Sequence, residues 1–160
     1  MMTFLEKQTD PTKPIHWRGD MQADYLYSSG VPGDRFFKNI MEKGTFLATR
    51  CPECDKVLFP PRMYCEDCFC EITDENWLEV PPKGSIRLHT TARMDAHGEP
   101  LEEPVVIALI DVEGTDGSVL GRINTKELSK DLCGVAVKAV LRAKKDREGT
   151  MKDILYFEPY

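Results

Sequence analysis

The features that this sequence lacks are those of membrane proteins, secreted proteins and self-sufficient enzymes. Its 160 residues contain no run of 18 or more apolar residues and no charged-then-apolar leader that ends in small residues. A phosphate-binding glycine loop, a dinucleotide fingerprint and a G-x-S-x-G motif are also missing. Its histidines, His16, His89 and His97, have no acid or thiol at a recognisable catalytic spacing. We expect a cytoplasmic protein without a membrane partner that performs no catalysis alone.

Aromatic residues are absent from most of the second half of the chain. No Phe, Tyr or Trp occurs between Ser85 and Leu155, and the formal net charge is -6. Proteins that bind single-stranded nucleic acid stack bases on aromatic side chains, each worth about 1–3 kcal/mol, and they attract phosphates with positive charge. We therefore expect no nucleic-acid partner, and a single-stranded nucleic-acid-binding protein is kept only as an alternative.

The first 44 residues are predicted to form a helical extension. Asp20 can cap a short helix that reaches Tyr27, and Asp34, after Pro32-Gly33, can cap a second helix over residues 35–43. Gly44 stands where a helix commonly stops. One face of the second helix would be apolar, with Phe36, Phe37, Ile40 and Met41.

Beyond this extension the pattern predicts a mainly β protein. Residues 45–80 alternate short strands with cysteine pairs, as in a zinc ribbon, and residues 81–160 are predicted to form a five-stranded OB-fold barrel. Val105 to Ile110 is continuously apolar, so we expect a strand covered on both faces. His89 falls on the polar face of the first barrel strand, where we expect it to be solvated. The five strands are predicted over residues 86–94, 105–110, 119–124, 135–143 and 154–157.

Six cysteines carry the chemical signal of the sequence. Four form two C-x2-C pairs, Cys51 with Cys54 and Cys65 with Cys68, separated by ten residues. Two such turns can direct four thiolates at one centre, which is typical of a structural Zn²⁺ site with no open position. Iron in a rubredoxin-like site is the less favoured alternative to zinc. Cys70 is disfavoured as a ligand by its spacing.

The remaining cysteine, Cys133, stands alone in the sequence. We expect it to be a small core residue, since free cysteines are among the most frequently buried residue types.

The order of these motifs resembles the acyl-CoA-associated proteins that join a rubredoxin-like zinc ribbon to an OB-fold. The resemblance covers residue 34 to the C-terminus, and it departs from the family pattern at Asp55 and Phe69, where small residues are frequent. Asp tolerates the left-handed conformation that this turn needs, whereas Phe69 makes the second turn harder to predict. The matching motifs are Arg50-Cys51-Pro52-Glu53-Cys54, Leu58-Phe59-Pro60-Pro61-Arg62, Cys65-Glu66-Asp67-Cys68, Trp77, Gly84-Ser85 and the strand from Val105 to Val112.

Members of that family are non-catalytic partners of thiolase-fold enzymes, and they bridge subunits or shape the coenzyme A entrance. The resemblance therefore implies a hetero-oligomer with a thiolase-fold catalytic subunit and a possible contact with a coenzyme A thioester. A stand-alone acyl-CoA thioesterase is the other alternative, but no nucleophile or general base for it is recognisable. Candidate contacts with the partner or with coenzyme A are Phe36, Phe37, Phe59, Arg62 and Tyr64.

Overall fold

The computed structural model describes residues 27–95, 97–127 and 131–160, which form one α-helix, eight strands and three short 3₁₀ turns. Nearly all of the predicted helix from Asp20 to Tyr27 lies outside this part of the chain. Within it, no helix has the length and apolarity to cross a bilayer. The elements are α1 Gly30–Glu42, β1 Phe46–Arg50, β2 Val57–Leu58, β3 Trp77–Val80, β4 Lys83–Met94, β5 Pro100–Val112, β6 Ser118–Ile123, β7 Ala136–Leu141 and β8 Ile154–Pro159, with 3₁₀ turns at Asp74–Asn76, Lys144–Asp146 and Met151–Asp153.

Helix α1 begins earlier than the sequence predicted. Its N-cap is Ser29, not Asp34, and Pro32 lies inside the first turn. Proline is tolerated there because the first N–H groups of a helix have no intrahelical acceptor. The predicted stop is correct, since Gly44 adopts a φ of 75° and donates its N–H back to Ile40 O over 3.0 Å.

The strands form two sheets. The smaller sheet has the order β2-β1-β3 and is antiparallel. The larger is a closed barrel with the order β4-β5-β6-β8-β7, in which β6 and β8 are the parallel pair. This order confirms the predicted zinc ribbon followed by a five-stranded OB-type barrel.

One hydrophobic core connects the helix, the ribbon and the barrel. The ring of Phe36 lies 5.7 Å from that of Phe46 and 5.8 Å from that of Phe59. All three are buried and join barrel residues such as Ile110 and Phe157 in the same cluster. Phe36 and Phe59 therefore pack inside the chain, which corrects the expectation that these two rings face a partner. The domain boundaries after residues 44 and 80 stay a prediction.

Hydrogen bonds between β2 and the turn after β5 join the ribbon to the barrel. Val57 N donates to Asp116 Oδ2, and Asp116 N donates to Val57 O, both over 2.8 Å. A Cβ added to Gly117 would lie 2.0 Å from Phe59 O, so only glycine allows this approach. The turn between β5 and β6 thus fixes the ribbon against the barrel.

A bulge in β4 changes which side chains face the core. Pairing with β5 shifts between Ile86 and Leu88, so the alternation reverses at that point. Leu88 is 60% exposed, whereas His89 becomes half-buried. The expectation that the His89 side chain is solvated is therefore wrong. Because Ile107 is exposed, the chain itself does not fully cover the outer face of Val105 to Ile110, and cover of that face by a partner stays a prediction.

Candidate metal centre

The four cysteines of the two C-x2-C pairs meet at one point. Their Sγ atoms all lie within 4.8 Å of one another, with Cys51 and Cys65 buried and Cys54 and Cys68 exposed. The Sγ atoms of Cys51 and Cys68 are 3.4 Å apart, and those of Cys54 and Cys65 are 3.6 Å apart. A zinc–sulfur distance of about 2.3 Å gives a tetrahedron with edges of about 3.8 Å. The donor set and its geometry are therefore positioned to bind a metal.

The two cysteine turns, called here the knuckles, share one backbone design. In the first knuckle, Asp55 N donates to Cys51 O over 3.1 Å, and Cys51 N donates to Lys56 O over 2.8 Å. The second knuckle repeats both bonds, at 3.1 and 3.0 Å, with Cys65, Phe69 and Cys70. The backbone alone therefore aims each pair of thiols, whatever side chains follow them.

Each knuckle also needs one residue in the left-handed region. Asp55 has a φ of 61° and Phe69 a φ of 59°. Aspartate adopts this conformation readily, as expected, whereas a bulky aromatic residue rarely does. The ring of Phe69 is exposed, so it meets no packing obstacle, and the doubtful second turn forms like the first.

The thiols divide into two pairs by pKa. Burial alone would raise the pKa of Cys51, but a backbone hydrogen bond from Cys54 and a bond from the Cys70 thiol lower it to about 6. Backbone hydrogen bonds also lower the pKa of Cys65. For Cys54 and Cys68 a backbone hydrogen bond acts in the same direction, yet neighbouring thiols raise the pKa to about 12. A metal that binds all four sulfurs as thiolates would displace the remaining thiol protons.

Charged side chains connect the knuckles on the outside. Lys56 Nζ lies 2.9 Å from both Glu66 Oε1 and Asp67 Oδ2, so one lysine of the first knuckle contacts two acids of the second. Arg62 also pairs with Glu66. The predicted contact residue Arg62 is thus an exposed ion-pair partner, and Tyr64 beside it is 58% exposed. Phe37 is half-buried against the core.

A second group of possible ligands lies at the end of the barrel. Ligand atoms of His89, Asp131 and Cys133 lie within 4.8 Å of one another. His89 Nε2, however, accepts the N–H of buried Leu132 over 3.1 Å, so its lone pair already holds this loop against β4. Cys133 is exposed, which corrects the expectation of a core cysteine. Spacing could not reveal this group, because His89 is 42 residues from Asp131 and its position depends on the bulge.

The outer face of β4, β5 and β6 carries an apolar row. Leu88 pairs with Leu109, which pairs with Leu120, and Leu88 and Leu120 are 60% and 67% exposed. Val105 and Ile107 continue this surface along β5. We call these five residues the barrel face. The continuous apolar run in β5 was its sequence signal, although the bulge hid the contribution of β4.

The segment that contains the metal centre matches a known domain family. Residues 42–69 match the model of the ChsH2, rubredoxin-like zinc ribbon domain. This segment is similar to a ChsH2-type zinc ribbon. The match contains all four clustered thiols, and it confirms the resemblance seen in the sequence at the level of the family.

Longer similarities extend over the OB-fold. A DUF35 domain-containing scaffold protein of Methanocaldococcus jannaschii is 26% identical over 112 residues, which are 70% of this chain and 78% of that protein. A DUF35 protein of unknown function from Sulfolobus solfataricus has a TM-score of 0.61 and 24% identity, over 82% of this chain and 87% of that one. An Ltp2-ChsH2(DUF35) aldolase structure has a TM-score of 0.59 and 18% identity, over 84% and 98%. At these identities the two solved structures show the fold alone.

Proposed function

We propose that this chain is a non-catalytic accessory subunit of a thiolase-type acyl-CoA complex. The observation that carries the proposal is the ChsH2-type ribbon joined to the OB barrel. One relative is a DUF35 domain-containing scaffold protein, and one structural neighbour is an Ltp2-ChsH2(DUF35) aldolase. Both favour a chain that assembles with an enzyme subunit. The narrower form of the proposal, supported only by sequence resemblance, is the small subunit of a benzoylsuccinyl-CoA thiolase.

Within this function, the proposed role of the metal is structural. Cys51, Cys54, Cys65 and Cys68 would hold Zn²⁺ as four thiolates, and the ion would staple the knuckles together without offering a position to substrate. The four-thiol geometry supports this ligand set. Elemental analysis of the purified protein should give one zinc per chain, and iron at that stoichiometry would replace zinc in the proposal.

The proposed docking surface is the barrel face. Leucine side chains that are more than half exposed contribute stability only when another surface covers them. The row lies on three neighbouring strands of a closed barrel, so it is rigid before binding and loses little entropy on association. The proposed occupant is an apolar surface of the thiolase-type subunit, with Phe37, Arg62, Tyr64 and a coenzyme A thioester as further proposed contacts.

Co-expression with a thiolase-type subunit of the same organism tests the function. We expect one stable complex in size-exclusion chromatography, with thioester turnover that requires the partner. Leu120→Glu should weaken the complex by about 30-fold or more, because a charge would be buried at an apolar interface. Leu155→Glu, at an exposed leucine of β8 outside the row, is the matched control.

Two results would contradict the proposal. The chains could elute separately at micromolar concentration, or this chain alone could hydrolyse a thioester. Equal weakening by Leu120→Glu and Leu155→Glu would retain an accessory subunit but remove the barrel face as its docking surface.

A further inference from the structure

Cys70 is a fifth thiol at the metal centre. Its Sγ lies 3.2 Å from Cys51 Sγ and 3.5 Å from Cys68 Sγ. Two thiolates that share a zinc ion in a tetrahedron are about 3.8 Å apart. Cys70 is therefore as close to two of the proposed ligands as those ligands would be to each other around an ion.

The knuckle design explains why this thiol is held there. Cys70 occupies the place that Lys56 has in the first knuckle, since both carbonyls accept the N–H of the first cysteine in their turn. The ammonium of Lys56 points outward to acids of the second knuckle. The thiol of Cys70 turns toward the other sulfurs. One backbone position thus supplies an external ion pair in one knuckle and an additional sulfur in the other.

We propose that Cys70 is a substitute ligand that takes the fourth corner of the metal centre when the sulfur of Cys68 is lost. Cys68 is exposed and only two residues away, whereas Cys51 is buried and belongs to the other knuckle. As the Cys70 sulfur bonds the ion, its thiol proton passes to solvent. The centre keeps four thiolates and its charge. The inference rests on the metal site of the proposed function.

Serine substitutions at the metal-centre cysteines of the full chain distinguish a ligand position that has a spare sulfur nearby from one that has none. Cys54 is the matched control, because it is also the exposed second cysteine of its knuckle, and the residue equivalent to Cys70 there is Lys56. Every variant carries Cys133→Ala, which removes the thiol of the His89 cluster as a competing metal ligand. Co²⁺ titration reports both affinity and the number of thiolates through the intensity of sulfur-to-cobalt charge transfer.

We expect Cys68→Ser to bind one Co²⁺ with the four-thiolate spectrum, within about tenfold of the parent affinity. Cys54→Ser and the double variant Cys68→Ser/Cys70→Ser should bind at least about a hundredfold more weakly. Cys70→Ser alone should keep the parent spectrum. Equal loss in Cys68→Ser and Cys54→Ser would overturn the inference. Loss in Cys70→Ser alone would also overturn it, because Cys70 would then be a primary ligand.

A second measurement uses only proteins that keep all four primary cysteines. Zinc-loaded parent and Cys70→Ser are treated with limiting iodoacetamide, and mass spectrometry identifies the chains alkylated at Cys68. The parent should retain zinc after this modification, whereas Cys70→Ser should release it. Equal release would overturn the inference. A parent protein that binds no metal at all would instead contradict the metal site of the proposed function.

Discussion

The two ends of this molecule achieve their order in different ways. The knuckle end, residues 51–72, has a separate core of four buried residues, and two of these are thiols of the metal centre: Cys51, Leu58, Cys65 and Ile72. Among the residues that the structure describes, the main core has sixteen buried hydrophobic residues from the helix, the ribbon and the barrel, with Val57 and Phe59 of the knuckle end among them. Four side chains, two of them thiols, cannot offset the entropy of ordering two turns, whereas sixteen can support a domain. The knuckle end should therefore depend on its metal, and the barrel should not.

The largest expected effect comes from breaking the metal centre. In Cys51→Ser, the amides of the knuckle end, such as those of Asp55 and Phe69, should exchange hydrogen at nearly unfolded rates. The reason is that a closed thiolate site contributes about 10 kcal/mol to folding. Amides of β5, such as Ala108 and Ile110, should keep their protection. Hydrogen exchange followed by mass spectrometry measures both regions in one experiment.

Cys133→Ser is the control for this prediction, because its thiol is exposed and outside the four-thiol group. It should leave exchange at the knuckle end unchanged. If Cys51→Ser removed protection equally from β5, the two ends would be one cooperative unit and the comparison would fail.

The reciprocal substitution is Phe157→Ala in the main core. The ring of Phe157 is buried, and it fills the space beside Gly121 so closely that a Cβ there would lie 2.5 Å from it. Truncating a buried phenylalanine costs about 3–5 kcal/mol of folding free energy. We expect a lower urea midpoint, with one metal per chain retained in the folded protein.

Tyr156→Ala is the control for this core substitution, since Tyr156 is adjacent on β8 but only half-buried. Its cost in the urea titration should be clearly smaller. A Phe157→Ala protein that lost its metal without urea would show that the knuckle end depends on the main core.

The barrel strands and the cysteine cluster were predictable because each leaves a regular spacing in the sequence. Alternation identified the barrel strands, and the doubled C-x2-C pattern brought together four thiols that are close in space. Spacing could not reveal the bulge at Leu88, because one extra residue leaves the composition of a strand unchanged. For the same reason, the sequence did not reveal that Leu88 of the barrel face is exposed or that His89 is half-buried.

The remaining differences have specific physical causes. Apolar rings such as those of Phe36 and Phe59 suit a core and an interface equally, so the sequence could not tell which of the two they occupy. In the structure, α1 packs over the main core, and both rings lie inside that core. Cys70 was disfavoured by its spacing. The backbone nevertheless places its thiol beside Cys51, because the second knuckle repeats the hydrogen bonds of the first.

The smallest expected effect concerns the ion pairs between the knuckles. Hydrogen bonds to Asp67 and Glu66 raise the pKa of Lys56, so this lysine stays charged over the whole physiological range. Surface ion pairs contribute little, and Lys56→Ala should therefore speed metal release to a chelator only about two- to fivefold. The difference should shrink in about 1 M salt, because the screening length of about 3 Å is then close to the 2.9 Å length of these ion pairs.

Lys138→Ala is the matched control on the barrel, where Lys138 Nζ lies 3.3 Å from Glu158 Oε1. That pair joins β7 to β8 and touches neither knuckle, so its loss should leave the rate of metal release unchanged. If both substitutions accelerated release equally, the rate of metal release would depend on the net charge of the protein and not on the contacts of Lys56. A salt-sensitive effect of Lys56→Ala alone would show that the knuckles are coupled through their outer side chains as well as through the metal.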